Sequence, residues 1–177
     1  MRNRKEIQKD AGIFVGDAVA TVHHLANWTS PEKIYSSCEY IVRPDQFQGV
    51  LDQLNLASSE PAWAVFMFRT PIPSVETDDD CPNLQYAIQN GKLGLEWVLL
   101  GERNVADKKA IEKIIRNNGH EVQVMKMNDV SYLRAEKGDL GSTGLQIVHD
   151  FYGVDSQYPM GLLVHGIRLS PGYRSRQ

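Results

Sequence analysis

Hydrophobic and polar positions recur with two different periods along this chain, and each period predicts a different element. Two segments show helical spacing. The first runs over residues 44–54, begins at Pro44 and has its apolar positions at Phe47, Val50, Leu51 and Leu54. The second runs over residues 108–116 and has its apolar positions at Ala110, Ile111, Ile114 and Ile115. Asn104 is a candidate cap for this helix and Gly119 a candidate stop.

Apolar runs of strand length predict the centre of a sheet. They are Ala62 to Phe68, Leu95 to Leu100 and Leu162 to Leu169. Because these runs are nearly continuous, at least two of the strands should be covered on both faces. Residues 34–42 and 121–127 alternate as half-buried strands do. Asn128 and Asp129 are expected to form the turn of a hairpin between residues 123–127 and 130–134.

The order of these segments suggests two βαβ-like units in one domain. In each unit about twenty residues separate two strands, which is enough for a crossover helix. The predicted fold class is therefore α/β or α+β, with a mixed central sheet and flanking helices. Residues 1–28 are assigned to a helical N-terminal extension, residues 29–171 to the domain and residues 172–177 to a C-terminal tail.

Two further helices are predicted outside these units. A short one starts at Pro82 and ends at Gly91, with Leu84, Ala87 and Ile88 as its apolar face. A later one begins at Asp139 or Ser142 and ends at Gly153. Its inward positions are Leu145, Val148, Phe151 and Tyr152.

The distribution of charge is uneven, although the formal net charge is only −3. The two ends, residues 1–9 and 172–177, carry six of the 19 basic side chains and one of the 22 acidic ones, so residues 10–171 carry −8. The acidic side chains Glu76, Asp78, Asp79 and Asp80 cluster in one predicted loop. A protein that follows the phosphates of nucleic acid needs clustered Lys and Arg, so direct nucleic-acid binding is not expected.

The cysteines and the hydropathy pattern indicate a cytoplasmic protein. Cys38 and Cys81 form neither a disulfide framework nor a zinc motif. The segment at residues 13–22 lacks the continuous apolar core of a secretory signal, and no run approaches the roughly 20 residues that span a bilayer. We therefore expect no membrane contact.

Candidate chemistry is sparse. Residues 138–144 read GDLGSTG, which lacks the Lys of a phosphate loop and the spacing of a dinucleotide loop. His149 and Asp150 are the residue types of a proton relay, but no nucleophile is placed beside them. The sequence therefore predicts no metal and no cofactor.

Two function classes remain. The first is a non-catalytic module that binds a basic protein, most concretely an immunity protein that neutralises a toxin such as a nuclease, and that is itself a monomer or weak homodimer. Its partner-binding residues would be Glu76, Asp78, Asp79, Asp80, Tyr152, Asp155 and Tyr158. The alternative is a small hydrolase-like enzyme whose site is built from Glu102, Asp129 and His149.

Overall fold

The first helix follows the predicted stripe. The computed structural model describes residues 40–58, 60–68, 82–170 and 172–175. A 3-10 turn at Pro44–Gln46 leads into α1, Phe47–Asn55. The predicted stripe is confirmed, because its four members Phe47, Val50, Leu51 and Leu54 are all buried. The predicted extension over residues 1–28 lies outside the described residues and stays a prediction.

The second predicted helix is confirmed as α3, Lys108–Asn117, and a short helix, α2, Glu102–Ala106, precedes it. Ile111 and Ile115 are fully buried, whereas Ile114 is only partly buried at the edge of the core. Gly119 ends the helix with a φ of +81°. Asn104 was expected to cap the helix, but it lies within α2 and is buried.

The strands form one sheet in which every described pairing is antiparallel. Its eight strands lie in the order β5-β6-β4-β3-β2-β7-β1-β8. They are β1 Tyr40–Val42, β2 Ala62–Met67, β3 Asn83–Gln89, β4 Lys92–Val98, β5 Gln123–Met127, β6 Val130–Ala135, β7 Met160–His165 and β8 Arg174–Ser175. The chain is therefore an α+β domain with a central sheet and flanking helices, although adjacent parallel strands do not occur in the described sheet.

Both predicted βαβ-like units are present, each with a third strand inserted. β1 and β2 flank α1 in sequence, and both pair antiparallel with β7, so they are parallel to each other with β7 between them. β4 and β5 flank α2 and α3, and both pair with β6 in the same way. The inserted strands could not be read from local periodicity, because they come from later in the chain.

The short helix predicted from Pro82 is wrong. Residues 83–89 form β3, which pairs with β4 through a turn at Asn90 and Gly91. These two residues have φ values of +52° and +70°. An Asn-Gly pair is the strongest short-range hairpin signal, because both residues tolerate the positive φ that the turn requires. Cross-strand pairing with β2 and β4 then outweighs the weak helical spacing of Leu84, Ala87 and Ile88.

The other predicted hairpin is confirmed. β5 and β6 are joined at Asn128 and Asp129, whose φ values are +48° and +66°. The late helix α4 is Leu140–Gln146, and a π-helical turn, Ile147–Phe151, extends it towards Gly153. Val148 and Tyr152 are buried as predicted, whereas Phe151 is exposed.

The described helices share one face of the sheet. Residues of α1, α3, α4 and the π-helical turn pack with Ala64 and Phe66 of β2, Leu95 and Trp97 of β4 and Leu133 of β6 in one apolar core. Residues on the second face are also withdrawn from solvent, since every residue of β2 is buried. Residues 94–98 of β4 are buried as well, so the prediction that at least two of the apolar strands are covered on both faces is confirmed.

Candidate functional site

Three of the predicted partner-binding residues fall within the described part of the chain. The acidic residues Glu76, Asp78, Asp79 and Asp80 lie outside it, so their role stays a prediction. Asp155 and Tyr158 lie in the connection from the π-helical turn to β7. The Asp155 carboxylate accepts from the Gln157 N–H at 2.8 Å, and Asp155 is exposed. Tyr158 is half-buried against the core.

Tyr152 is a core residue rather than an anchor for a partner. Its ring packs against Trp97 and Phe68, with centroids 6.1 and 5.2 Å away. Its hydroxyl donates to the Asp107 carboxylate at 2.7 Å, and Arg103 donates to the same oxygen at 2.8 Å. Burial, reinforced by that hydrogen bond to Asp107, raises the pKa of Tyr152 far above its usual value. Tyr152 therefore ties the π-helical turn to α2 and α3.

The residues of the alternative hydrolase site lie on separate elements. Glu102 is exposed at the start of α2, and Asp129 pairs with Lys126 at 3.2 Å in the β5–β6 turn. His149 lies in the π-helical turn and lines an open cavity. Neither Glu102 nor Asp129 is among the described residues that line this cavity. The three side chains are therefore not assembled around it.

The cavity beside His149 has a volume of about 540 Å³, and two carboxylates, Asp45 and Asp150, are among its lining residues. It lies between the 3-10 turn, the end of α3 and the outer side of α4. The described lining contains no Lys or Arg and consists of Pro44, Asp45, Asn118, Ser142, Leu145, Gln146, His149, Asp150 and Ser156. Asp45 already holds Arg43 at 3.1 Å. The Asp150 carboxylate makes no hydrogen bond or ion pair with any described residue.

Further exposed carboxylates lie on α1, at the start of α4 and in the connection to β7. The exposed residues Asp45, Asp52, Asp139, Asp150 and Asp155 form what we call the acidic surface. Asp139 begins α4, where its side chain accepts from the Ser142 N–H at 2.9 Å. Asp52 lies on α1, which packs on α4, and accepts from the Gln48 amide at 2.8 Å. The basic residues Lys108, Lys109, Lys113 and Arg116 lie instead on α3. The separation is incomplete, because Arg43 pairs with Asp45 and the Glu112 carboxylate pairs with Arg116 on α3.

The glycines of the GDLGSTG segment position this surface. A Cβ atom at Gly144 would collide with the Tyr86 hydroxyl, and one at Gly141 with the Gln48 side chain. Because Gly141 and Gly144 lack a Cβ atom, α4 can lie close to the sheet and to α1. Tyr86 then donates to the Leu140 carbonyl at 2.8 Å. The segment therefore serves close packing of α4.

His120 fastens the start of α4 from another side. Its Nδ1 lies 2.5 Å from the Lys137 carbonyl, and its Nε2 lies 2.6 Å from the Thr143 hydroxyl. The ring occupies the space that a Cβ atom at residue 138 would fill. Gly138 also has a φ of +89°, which favours glycine there. His120 follows the turn at Gly119, and it is buried.

The second face of the sheet holds a charged cluster that the sequence pattern did not reveal. Gln85, Glu96 and Arg134 are direct cross-strand neighbours on β3, β4 and β6. Arg134 donates to Glu96 and, at 2.9 Å, to Glu136. Gln85 and Gln89 each donate to Glu96 at 2.6 Å. Gly94 leaves room for the guanidinium, which lies where its Cβ would be.

Burial dominates the chemistry of this cluster. It raises the pKa of Glu96 to about 7, while the charge and hydrogen bond of Arg134 act in the opposite direction. The signal in the sequence is Glu96 itself, a charged residue between Leu95 and Trp97. Its partner lies 38 residues away, so local spacing did not identify it.

The comparisons add no relative. Comparison of the chain with protein-family models, curated protein sequences and solved structures finds no significant match to any of them. Within the described residues, no group of His, Cys, Asp and Glu side chains is arranged to hold a metal ion. No helix in that part of the chain has the length and apolar character needed to cross a bilayer.

Proposed function

We propose that this protein is a non-catalytic binding module that neutralises a basic protein, most concretely a cytosolic immunity protein for a toxin such as a nuclease. The observation that carries the proposal is the acidic surface around an open cavity whose described lining has no Lys or Arg. The proposal needs no metal or organic cofactor.

Electrostatics explains how such a surface acts. Nucleases present positive surface to phosphate, so an acidic protein competes for that surface and accelerates encounter with it. Asp150 is suited to this role because it is exposed and its carboxylate has no partner among the described residues. By contrast, the buried Glu96 is already paired with Arg134. The exposed carboxylates are therefore available to a partner in a way that the buried one is not.

The alternative enzyme has one supporting observation, which is that His149 and Asp150 both line the cavity. A hydrolase at this position would use His149 as its general base. Glu102 and Asp129 do not join it there. His149→Ala therefore separates the two proposals, because it abolishes turnover in an enzyme and leaves a binding module able to neutralise its partner.

The test is neutralisation of a toxin encoded beside this protein. The neighbouring toxin domain is expressed from an inducible promoter with and without this protein, and growth is measured. We expect rescue of growth and a complex near one-to-one stoichiometry in sedimentation or native mass spectrometry. Unrestored growth together with turnover of an ester or nucleotide that His149→Ala abolishes would refute the binding module and support the enzyme.

A further inference from the structure

β5 is the last strand at one edge of the described sheet, and no other described strand pairs with its outer side. In the described sheet it pairs with β6 alone. Val124 is 60% exposed, and Gln123 and Lys126 are also exposed. The strand contains no proline and no bulge, two devices by which proteins commonly block a sheet edge. Lys126 is its one charged side chain, and an edge lysine is a further device of this kind.

The register of the hairpin fixes which backbone groups of β5 face outward. Met127 and Val130 flank the two-residue turn at Asn128 and Asp129 and so form a hydrogen-bonded pair. The alternation of an antiparallel ladder then directs the N–H and C=O groups of Met127, Met125 and Gln123 towards β6. The same groups of Val124 and Lys126 point away from β6. They bond to no described residue and have the spacing that another strand requires.

Apolar side chains flank this edge on both faces. On the second face of the sheet, Met125 and Met127 are half-buried against Tyr132 and Val130. On the helix-bearing face, Val124 is exposed next to Lys126. Methionine is flexible and adapts to different apolar neighbours. An incoming strand would therefore meet an adaptable apolar surface on one side and the Val124 side chain on the other.

The charges beside β5 favour another protein over a second copy of this chain. In the antiparallel self-pairing that places Val124 opposite Lys126 of the second copy, Glu121 is directed towards Asp129 of that copy, which sets like charges against each other at both ends. The five residues of β5 also provide far less contact than the roughly 1,200 Å² or more of a stable interface. A strand with a basic residue at the end beside Glu121 instead meets that carboxylate favourably, whereas Asp129 already pairs with Lys126.

We propose that β5 is a docking edge for an extended segment of the partner, which pairs with Val124 and Lys126 and carries apolar side chains over Met125 and Met127. The basic character of this partner rests on the proposed function above. Strand addition of this kind derives affinity from main-chain hydrogen bonds and specificity from alternate side chains. The acidic surface would speed encounter, and β5 would hold the partner.

The test uses a peptide with the sequence acetyl-Lys-Val-Thr-Val-Thr-Val-Lys-amide. Residues paired across a ladder share a face, so its Thr residues pair with Val124 and Lys126 while its Val residues lie over the methionines. On titration we expect slower amide exchange at Val124 and Lys126, measured by NMR. N-methylation of both Thr residues should weaken binding at least about tenfold, because two hydrogen bonds are lost. N-methylation of two Val residues is the matched control and should leave affinity nearly unchanged.

A pair of protein variants provides an independent test. Val124→Pro removes an outward N–H that β6 does not use, so the fold should tolerate it. Val124→Thr keeps that N–H and is the control. We expect at least about a tenfold loss of peptide affinity in the first and little change in the second.

Three outcomes would overturn the docking edge. They are absence of amide protection at millimolar peptide, equal effects of the two N-methylated peptides, and protection that appears on concentrating the protein alone, which would identify a second copy as the occupant. Unchanged affinity of Val124→Pro for a toxin that the protein neutralises would refute the docking edge and leave the proposed function intact. Peptide binding without neutralisation of the neighbouring toxin would refute the function instead.

Discussion

The guanidinium of Arg134 donates to the carboxylate of Glu96, and at most 1% of either side chain is exposed to solvent. Arg134 also holds Glu136, so it is shared between two carboxylates. When Glu96 is protonated and neutral, the positive charge of Arg134 is still compensated by the negative charge of Glu136. This arrangement makes a neutral Glu96 compatible with a charged, buried Arg134.

The first prediction concerns stability and pH. The pKa of Glu96 is about 7 in the folded chain, against about 4.5 without burial. Because the folded state binds the Glu96 proton more tightly than the unfolded state, protonation of Glu96 stabilises the fold. This contribution to stability is complete below pH 4.5 and is lost as the pH rises through 7. This difference in pKa corresponds to a contribution of roughly 3 kcal/mol to the free energy of unfolding. Urea unfolding of wild type and Glu96→Gln should diverge over this pH range, and parallel curves would contradict the assignment.

Removal of the arginine should be more damaging than removal of the charge on Glu96. Arg134→Met leaves a carboxylate buried without its cation, which typically costs about 3–5 kcal/mol. The double variant Arg134→Met with Glu96→Gln should recover part of this loss, since the unpaired charge is gone. Equilibrium urea unfolding at pH 8 measures both. Equal stability of the single and double variants would show that Arg134 acts through packing alone.

Asn104 should be essential to the junction between α2 and the sheet. Its amide donates to the Val98 and Asn83 carbonyls at 2.9 and 3.1 Å. Its Oδ1 accepts from the Asn83 N–H at 3.3 Å. Asn104→Ala leaves these buried backbone groups unpaired, so we expect a loss of about 3 kcal/mol or more in urea unfolding. Asn117→Ala, on the exposed end of α3, is the control and should change stability by less than about 0.5 kcal/mol.

Tyr152 provides a test of the contact with Asp107. Tyr152→Phe removes the hydroxyl bond but keeps the ring against Trp97, so a loss of about 1–2 kcal/mol is expected. Tyr158→Phe removes an equivalent hydroxyl from a half-buried ring and should be close to neutral. Thermal and urea unfolding of the pair distinguish the two positions. A neutral Tyr152→Phe would mean that the hydrogen bond contributes no net stability.

The acidic surface should control the rate of partner association. Asp150→Asn with Asp155→Asn should slow association with a neutralised toxin by about tenfold at low salt, and the loss should shrink as salt screens the field. Glu102→Gln with Glu112→Gln changes the total charge equally, but on α2 and α3, and is the matched control. Stopped-flow measurements at two ionic strengths test this. If both double variants slow association equally, net charge rather than the position of the acidic surface controls the rate.

The isoleucine stripe of α3 illustrates how far periodicity reaches. It placed Ile111, Ile114 and Ile115 on one side, and all three contact the core, but Ile114 is only partly buried. Truncation of a fully buried isoleucine to alanine typically costs about 2–5 kcal/mol. That range applies to Ile111→Ala and Ile115→Ala, and Ile114→Ala should cost less. Spacing identifies a face, whereas the depth of each residue depends on what packs against it.

The sequence by itself determined the elements whose signals are local. The stripe of α1, the apolar β2 and the Asn128–Asp129 turn were predicted because period, length and turn chemistry act over a few residues. The tertiary structure decided the rest. It placed β7 between β1 and β2, made a strand of residues 83–89 through pairing on both sides, joined Glu96 to Arg134 and buried Tyr152. Each of these depends on the register between segments far apart in the chain, which only simultaneous packing and hydrogen bonding select.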